Sequence, residues 1–304
     1  MDLATRLRKG LALPVPGPAP TAALRAERRV EAGTVQELML GPLPASLLWL
    51  ETPPPPGGFP ALLYCHAHGG EFDLGRREMM AGARWTDGPI GPDLAASGVA
   101  VLCIDMPGFG SRRAEGPLDA LAKAGLWQGR PLFGRMLAEQ QQALSWLAAH
   151  PRVDAARIAA FGVSMGGALA FWLAALDKRL AAAAHHSILA DMGPMIANGA
   201  HDRHGLYLTV PGLLQQAEIG DVAALVAPRP HYVGVNLGDR LCPPEAVRPA
   251  LERLRAAYGP QGALEIHATE LAHHGEAPGT RGRLLDFLAH RAFPDTTTRL
   301  GAIS

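Results

Sequence analysis

The stretch that most limits what this chain can fold into is Gly162-Val163-Ser164-Met165-Gly166, on account of its flanks. The strand-like RIAAFGV runs straight into the serine, and the helix-like GGALAFWLAAL runs straight out of it. A strand that becomes a helix across one residue needs glycine where the two backbones approach, and it lifts the turn residue clear of the main chain. With 35 glycines in 304 residues and few serines, chance supplies such a pentapeptide in roughly one chain of this kind in ten, so the context carries more than the motif. The bland alternative is a strand-to-helix turn that only needs glycine.

Around it, short apolar runs alternate with helical patterns, which predicts an α/β class: a mostly parallel central sheet with helices on both faces. Residues 34–40 and 46–51 read as a leading antiparallel pair closed by the Gly41-Pro42 turn. Runs at 61–65, 99–104, 157–161, 181–184, 231–235 and 264–267 suit strands buried on both faces. Helical spacing is clearest over 136–149 and 245–257, with an Ala-rich helix over 167–176. Segments 111–135 and 187–230 fit neither period and are expected as short lid segments. One domain over 34–293 follows, with an N-terminal extension over 1–33 and a C-terminal tail over 294–304.

Composition narrows the partners. Lys+Arg and Asp+Glu both total 28, and no basic run occurs, so no nucleic acid is expected as a partner. No stretch of about 18 apolar residues is present, so no membrane partner is expected either. The basic-then-apolar start imitates a signal peptide, but Pro14, Pro16, Pro18 and Pro20 break its apolar region. Cys65, Cys103 and Cys242 are odd in number and form no C-x-x-C, which argues against a disulfide framework and for a cytoplasmic location. Oligomeric state is not legible.

A serine hydroxyl is a weak nucleophile at neutral pH and needs a base, with a carboxylate to orient that base. In a strand–turn–helix setting the order is Ser, then Asp, then His. Asp239 ends the strand-like HYVGVNLGD, and His274 lies in LAHHGE after the strand-like LEIHAT. Asp239 has a plain alternative as a turn former before Pro243, and His273 competes with His274 for the base. Asp202, Asp221 and His267 are weaker rivals. A developing oxyanion needs two backbone N–H donors: Met165 by position, and His68 from the loop Cys65-His66-Ala67-His68-Gly69-Gly70.

Taken together, HAHGG, IDMPGFGSR, FGVSMGG, HGLYLTVPGLL, DVAALVAPRPHYVGVNLGD and HHGEAP resemble the α/β-hydrolase superfamily, in particular its acetyl xylan esterase-like and dienelactone hydrolase-like branch. The resemblance covers residues 30 to 293, with the APRP strand its most specific piece. It implies a serine esterase with Ser164, Asp239 and His274 as triad, acting on a small-molecule ester through an acyl-serine intermediate. The branch commonly has His-Gly-His in the oxyanion loop; here Ala67 replaces the glycine, which restricts the backbone there.

Two rival classes remain. His66, His68, His185, His186, His201, His204, His273 and His274 could build a zinc-dependent hydrolase, although neither H-E-x-x-H nor a thiolate cluster occurs. A non-catalytic binding protein on a hydrolase fold is the other. No G-x-G-x-x-G or P-loop is present, so no cofactor is expected. Arg112, Arg113 and Arg203, in the expected lid, have two fates: surface ion pairs or a clamp on a substrate carboxylate.

Overall fold

Every residue of Phe59–Cys65 is buried, and its alternation shows how the core is built. Ala61, Leu63 and Cys65 enter one apolar cluster, while Leu62 and Tyr64 enter a second on the opposite face. The structure, a computed structural model, describes residues 1–294; from residue 295 onward the expected C-terminal tail lies outside the described residues.

The strands are β1 (Ala22–Val30), β2 (Gly33–Leu40), β3 (Leu43–Trp49), β4 (Phe59–Cys65), β5 (Ala100–Ile104), β6 (Val153–Val163), β7 (Ala182–His186), β8 (His231–Asn236) and β9 (Leu264–Thr269). They form one nine-stranded sheet in the order β1-β2-β3-β5-β4-β6-β7-β8-β9. The pairs β1–β2, β2–β3 and β3–β5 are antiparallel. From β5 across to β9 every pair is parallel, as the continuous apolar runs led one to expect. One cluster packs the sheet against the helices Leu132–Ala149, Met165–Leu176 and Pro244–Tyr258. The other packs it against Ile90–Ala96 and Thr280–Phe287. The strand order reverses at β4: β5 lies on one side of it and β6 on the other. Loops leaving the carboxyl ends of β4 and β6 therefore part at that point, where open α/β sheets form their crevice.

Three segments take a form that the sequence does not spell out. Residues 1–33 are integrated with the domain: Leu7, Leu11 and Leu13 are buried, and the Arg8 guanidinium donates to Leu176 O (3.0 Å). β1 escapes a period-2 reading because it has no buried face; its arginines suit an edge strand that discourages further pairing. The expected lid 111–135 is largely helical, with the helix Leu118–Trp127 and the start of Leu132–Ala149. Pro117 and Pro131, each just ahead of a helix, cut the period into pieces too short to read. Segment 187–230 holds the short helices Met192–Ala197 and Ile219–Ala224 with tight turns between them.

Two of the distinctive motifs act as ties. The buried Asp105 of IDMPGFGSR accepts from the Arg76 N–H (2.7 Å) and the Ser111 N–H (2.9 Å) and pairs with the Arg76 guanidinium, binding two loops together. Arg229 of APRP donates to Ala174 O (2.6 Å) and Leu180 O (2.8 Å), satisfying a carbonyl that the end of helix Met165–Leu176 leaves open.

Candidate active site

Ser164 stands between β6 and the helix Met165–Leu176 with φ 55 and ψ −121. A non-glycine residue in such a conformation costs on the order of 1–3 kcal/mol and persists only where its surroundings enforce it. Here the motif glycines do so. A Cβ on Gly166 would lie 1.9 Å from Cys65 O, and one on Gly162 would lie 2.3 Å from the Gly166 carbonyl carbon. The turn is thus pressed against the end of β4, and the Ser164 N–H donates to His186 O (2.9 Å) at the end of β7.

Asp239 follows β8 and is buried. Its Oδ1 accepts from the Leu241 N–H (2.9 Å), and its Oδ2 lies 2.6 Å from His274 Nδ1. His274 Nε2 lies 2.7 Å from Ser164 Oγ. The carboxylate can only accept, so the proton is assigned to Nδ1, which leaves Nε2 as acceptor for the serine proton. That is the tautomer a general base requires. His273 is exposed, and its carbonyl accepts from Asn236 Nδ2 (2.7 Å). The weaker rivals lie elsewhere: Asp221 pairs with Arg253, Asp202 is exposed in a tight turn, and His267 lies within β9.

The loop that carries His274 is held by side chains distant in sequence. Buried Asn236 donates to His273 O (2.7 Å) and Gly275 O (2.9 Å) and accepts from Thr269 Oγ1 (2.8 Å). Ser187, at φ 55, donates its hydroxyl to Gly275 O (3.0 Å) and accepts the Gly275 N–H (3.1 Å). Beyond them the Glu276 N–H donates to Trp85 O (2.8 Å), and its carboxylate pairs with Arg281 (2.5 Å).

Below the loop 65–70 lies a buried acid that the sequence did not mark. Glu78 accepts from Tyr64 Oη (2.5 Å), the Ala67 N–H (3.1 Å) and Trp85 Nε1 (3.0 Å). Burial pushes its carboxyl up to about 7, against the three donors that hold it down. Ala67 is not among the residues at positive φ, so its methyl is accommodated without strain where the related branch has glycine. Its N–H is committed to Glu78 and the Gly70 N–H to His68 Nδ1 (3.0 Å). His68 borders the cleft beside Ser164, its ring stacked on Tyr207 with centroids 5.5 Å apart. Met165 opens its helix, where the first N–H groups have no acceptor within the helix.

Ser164 and His274 border a cleft of about 490 Å³ walled by Trp85, Tyr207 and Leu241, with Arg84 and Arg203 among its lining residues. Segment 187–230 supplies Arg203, His204, Gly205 and Tyr207; segment 111–135 supplies none of its lining. Trp85 and Arg84 sit in irregular chain with no motif around them, so nothing in the sequence marked them.

Among the described residues the histidines are not gathered into a metal site. His66 Nδ1 lies 2.9 Å from Ala67 O, and its Nε2 accepts from the Met106 N–H (3.1 Å). His185 and His186 lie inside β7, and His204 Nε2 is bonded to Leu241 O (2.7 Å). Among the described residues Asp239, Cys242 and His274 do approach within 4.8 Å of one another. That set suits zinc poorly. Burial and the nearby Asp239 charge push the Cys242 thiol well up, away from the thiolate a metal needs, and the imidazole is engaged at both nitrogens.

Comparisons with known proteins agree with this architecture. Residues 60–214 match the family model described as alpha/beta hydrolase fold. Over 259 residues the chain is 34% identical to the Bacillus subtilis (strain 168) protein named "Putative hydrolase YtaP", covering 84% of this chain and 86% of that one. Among solved structures, the acetyl xylan esterase from Paenibacillus sp. R4 superposes with a TM-score of 0.68 at 21% identity, covering 96% of this chain and 95% of that one. Acetyl xylan esterase 1 from Thermoanaerobacterium sp. JW/SL YS485 gives 0.67 at 17% identity, covering 95% and 92%. At those identities the two structures speak for the fold alone. The chain belongs to the α/β-hydrolase fold family. Among its described residues no helix is long and apolar enough to cross a membrane.

Proposed function

We propose that this chain is a serine esterase that hydrolyses carboxylic esters of small acyl groups through an acyl-Ser164 intermediate. The observation that carries this reading is the continuous relay from Ser164 Oγ to His274 Nε2 (2.7 Å) and from His274 Nδ1 to Asp239 Oδ2 (2.6 Å). His274 takes the serine proton as Oγ attacks the ester carbonyl and returns it to the leaving alcohol; it then takes a proton from the water that releases the acid. Asp239 holds the imidazole in its tautomer and stabilises the imidazolium. The Met165 and His68 N–H groups receive the developing oxyanion, each such donor being worth about 2.7–4 kcal/mol to the transition state. Esterase neighbours on the same fold support the reaction class. A cytoplasmic location and a single catalytic domain with a lid over 187–230 complete the reading.

The test is Ser164→Ala against a short 4-nitrophenyl ester. A fall in kcat of about four to six powers of ten is expected, with the unfolding transition unchanged. A serine-directed phosphonate should label the native enzyme stoichiometrically at Ser164, and a chelator should leave the rate untouched. Near-native turnover by the alanine variant sinks the proposal; inactivation by chelator alone favours the zinc reading. Absence of both labelling and turnover favours a binding protein.

A further inference from the structure

Resting on the esterase reading, the substrate class can be narrowed from the charges that face Ser164. Most arginines near the site are matched by a carboxylate. Arg76 pairs with Asp105, Arg281 with Glu276, and Arg112 with Glu139 (2.6 Å) and Glu115 (2.6 Å). Arg113, one of the expected clamp candidates, is bound to Asp73 (3.1 Å) outside the cleft.

The two that border the cleft are different. Arg203, on the lid segment, donates from Nη1 to Arg240 O (2.6 Å) and has no ion pair among the described residues. Arg84, on the segment that follows the oxyanion loop, donates from Nη2 to Gly69 O (2.7 Å). Its one ion pair among the described residues, with Glu71, is 3.8 Å long between exposed groups and is worth little in water. A backbone carbonyl orients a guanidinium without neutralising it, and each keeps further N–H donors for a ligand. None of the lining residues is Asp or Glu. Of the imidazoles, burial holds His68 and His204 below the usual range, so the arginines supply the standing positive charge. Both side chains are exposed at the mouth of the cleft, where two uncompensated cations do nothing for a neutral ester but offer an anion charge-assisted, partly bidentate contacts.

We propose that the preferred substrate is an ester carrying a second, ionised carboxylate, which Arg203 and Arg84 bind while the scissile carbonyl lies at Ser164. Volume permits it: a cleft of about 490 Å³ holds a short acyl chain with a terminal carboxylate between the walls of Trp85 and Tyr207.

The experiment compares 4-nitrophenyl hemisuccinate with the uncharged 4-nitrophenyl butyrate on the full chain. The native enzyme should show a kcat/KM ratio of about ten or more in favour of the hemisuccinate at low salt, declining as salt is added. In Arg203→Gln and Arg84→Gln the ratio should fall severalfold, through KM for the anionic ester, and in the double variant it should approach one. Succinate should inhibit the native enzyme competitively and the double variant far more weakly. Turnover of the butyrate with equal or slower turnover of the hemisuccinate overturns this proposal alone, as does a preference that survives the double variant. Failure of the native enzyme on both esters, together with absence of phosphonate labelling, overturns the esterase reading beneath it.

Discussion

At the Ser164 turn the residues that force the geometry lie within two positions of the serine, whereas the loop that carries His274 is fixed by side chains from β8, from the end of β7 and from the helix Thr280–Phe287. The first device is steric: two glycines without Cβ let a strained residue press against β4. The second is polar: Asn236 and Ser187 saturate the carbonyls and N–H of His273 and Gly275, and a buried Glu276–Arg281 pair closes the far end. A steric device tolerates no added atom, while a polar one tolerates the loss of a member in proportion to the bonds lost. The contrast therefore predicts different failures.

The largest effect is expected from Gly166→Ala. Its methyl would meet the Cys65 carbonyl oxygen at 1.9 Å, backbone against backbone, with no side chain free to yield. A loss of about 3 kcal/mol or more is expected, and a fall in Tm of roughly 10 °C. A variant with native Tm and native kcat would show that the turn is not sterically determined, and the contrast would collapse. Asn236→Ala comes next. It leaves the part-buried His273 carbonyl without its donor and the Gly275 carbonyl with the Ser187 hydroxyl alone, at about 1–3 kcal/mol in all before the loop relaxes. Displaced by a fraction of an ångström, His274 should lose about tenfold to hundredfold in kcat with KM nearly constant. The rate of phosphonate labelling should fall in parallel. Asn236→Asp should not rescue it, because a carboxylate cannot donate to those carbonyls. A kcat unaltered in Asn236→Ala would mean that the loop holds its course without this residue.

The smallest effect concerns Glu78, under the loop that follows β4. Its carboxyl is raised from 4.5 to about 7, so between those values the folded chain binds more protons than the unfolded one. Its contribution to stability is therefore full below about pH 4.5 and is lost as pH rises toward 7, with no further change above. Glu78→Gln should flatten that part of the stability curve, read as the difference in unfolding free energy between pH 5 and pH 8. An identical slope in the variant would remove Glu78 as its source.

The same contrast explains what the sequence could reveal. Strands β4 to β8 were legible because burial on both faces leaves an unbroken apolar run, β9 at the sheet edge is only half-buried, and the turn was legible because its cause is local. Residues acting over long range left no such trace. Asn236 reads as an ordinary strand end, Ser187 as one polar residue after a histidine pair, and Glu78 as one acid in a charged surface run. Whether His273 or His274 faces the serine depends on the path that Asn236 and Ser187 impose, which no periodicity encodes. β1 was missed for the opposite reason, having no buried face to betray it.

The end of β7 joins the two devices. His186 O takes the Ser164 N–H, and the next residue, Ser187, holds Gly275 beside His274. In a machinist's terms, Ser164 and His274 are dimensioned from one datum, so a small slide of β7 carries both together and their separation keeps its tolerance. Two parts located from separate edges would instead accumulate the error of each, and a 2.7 Å contact leaves no room for that sum.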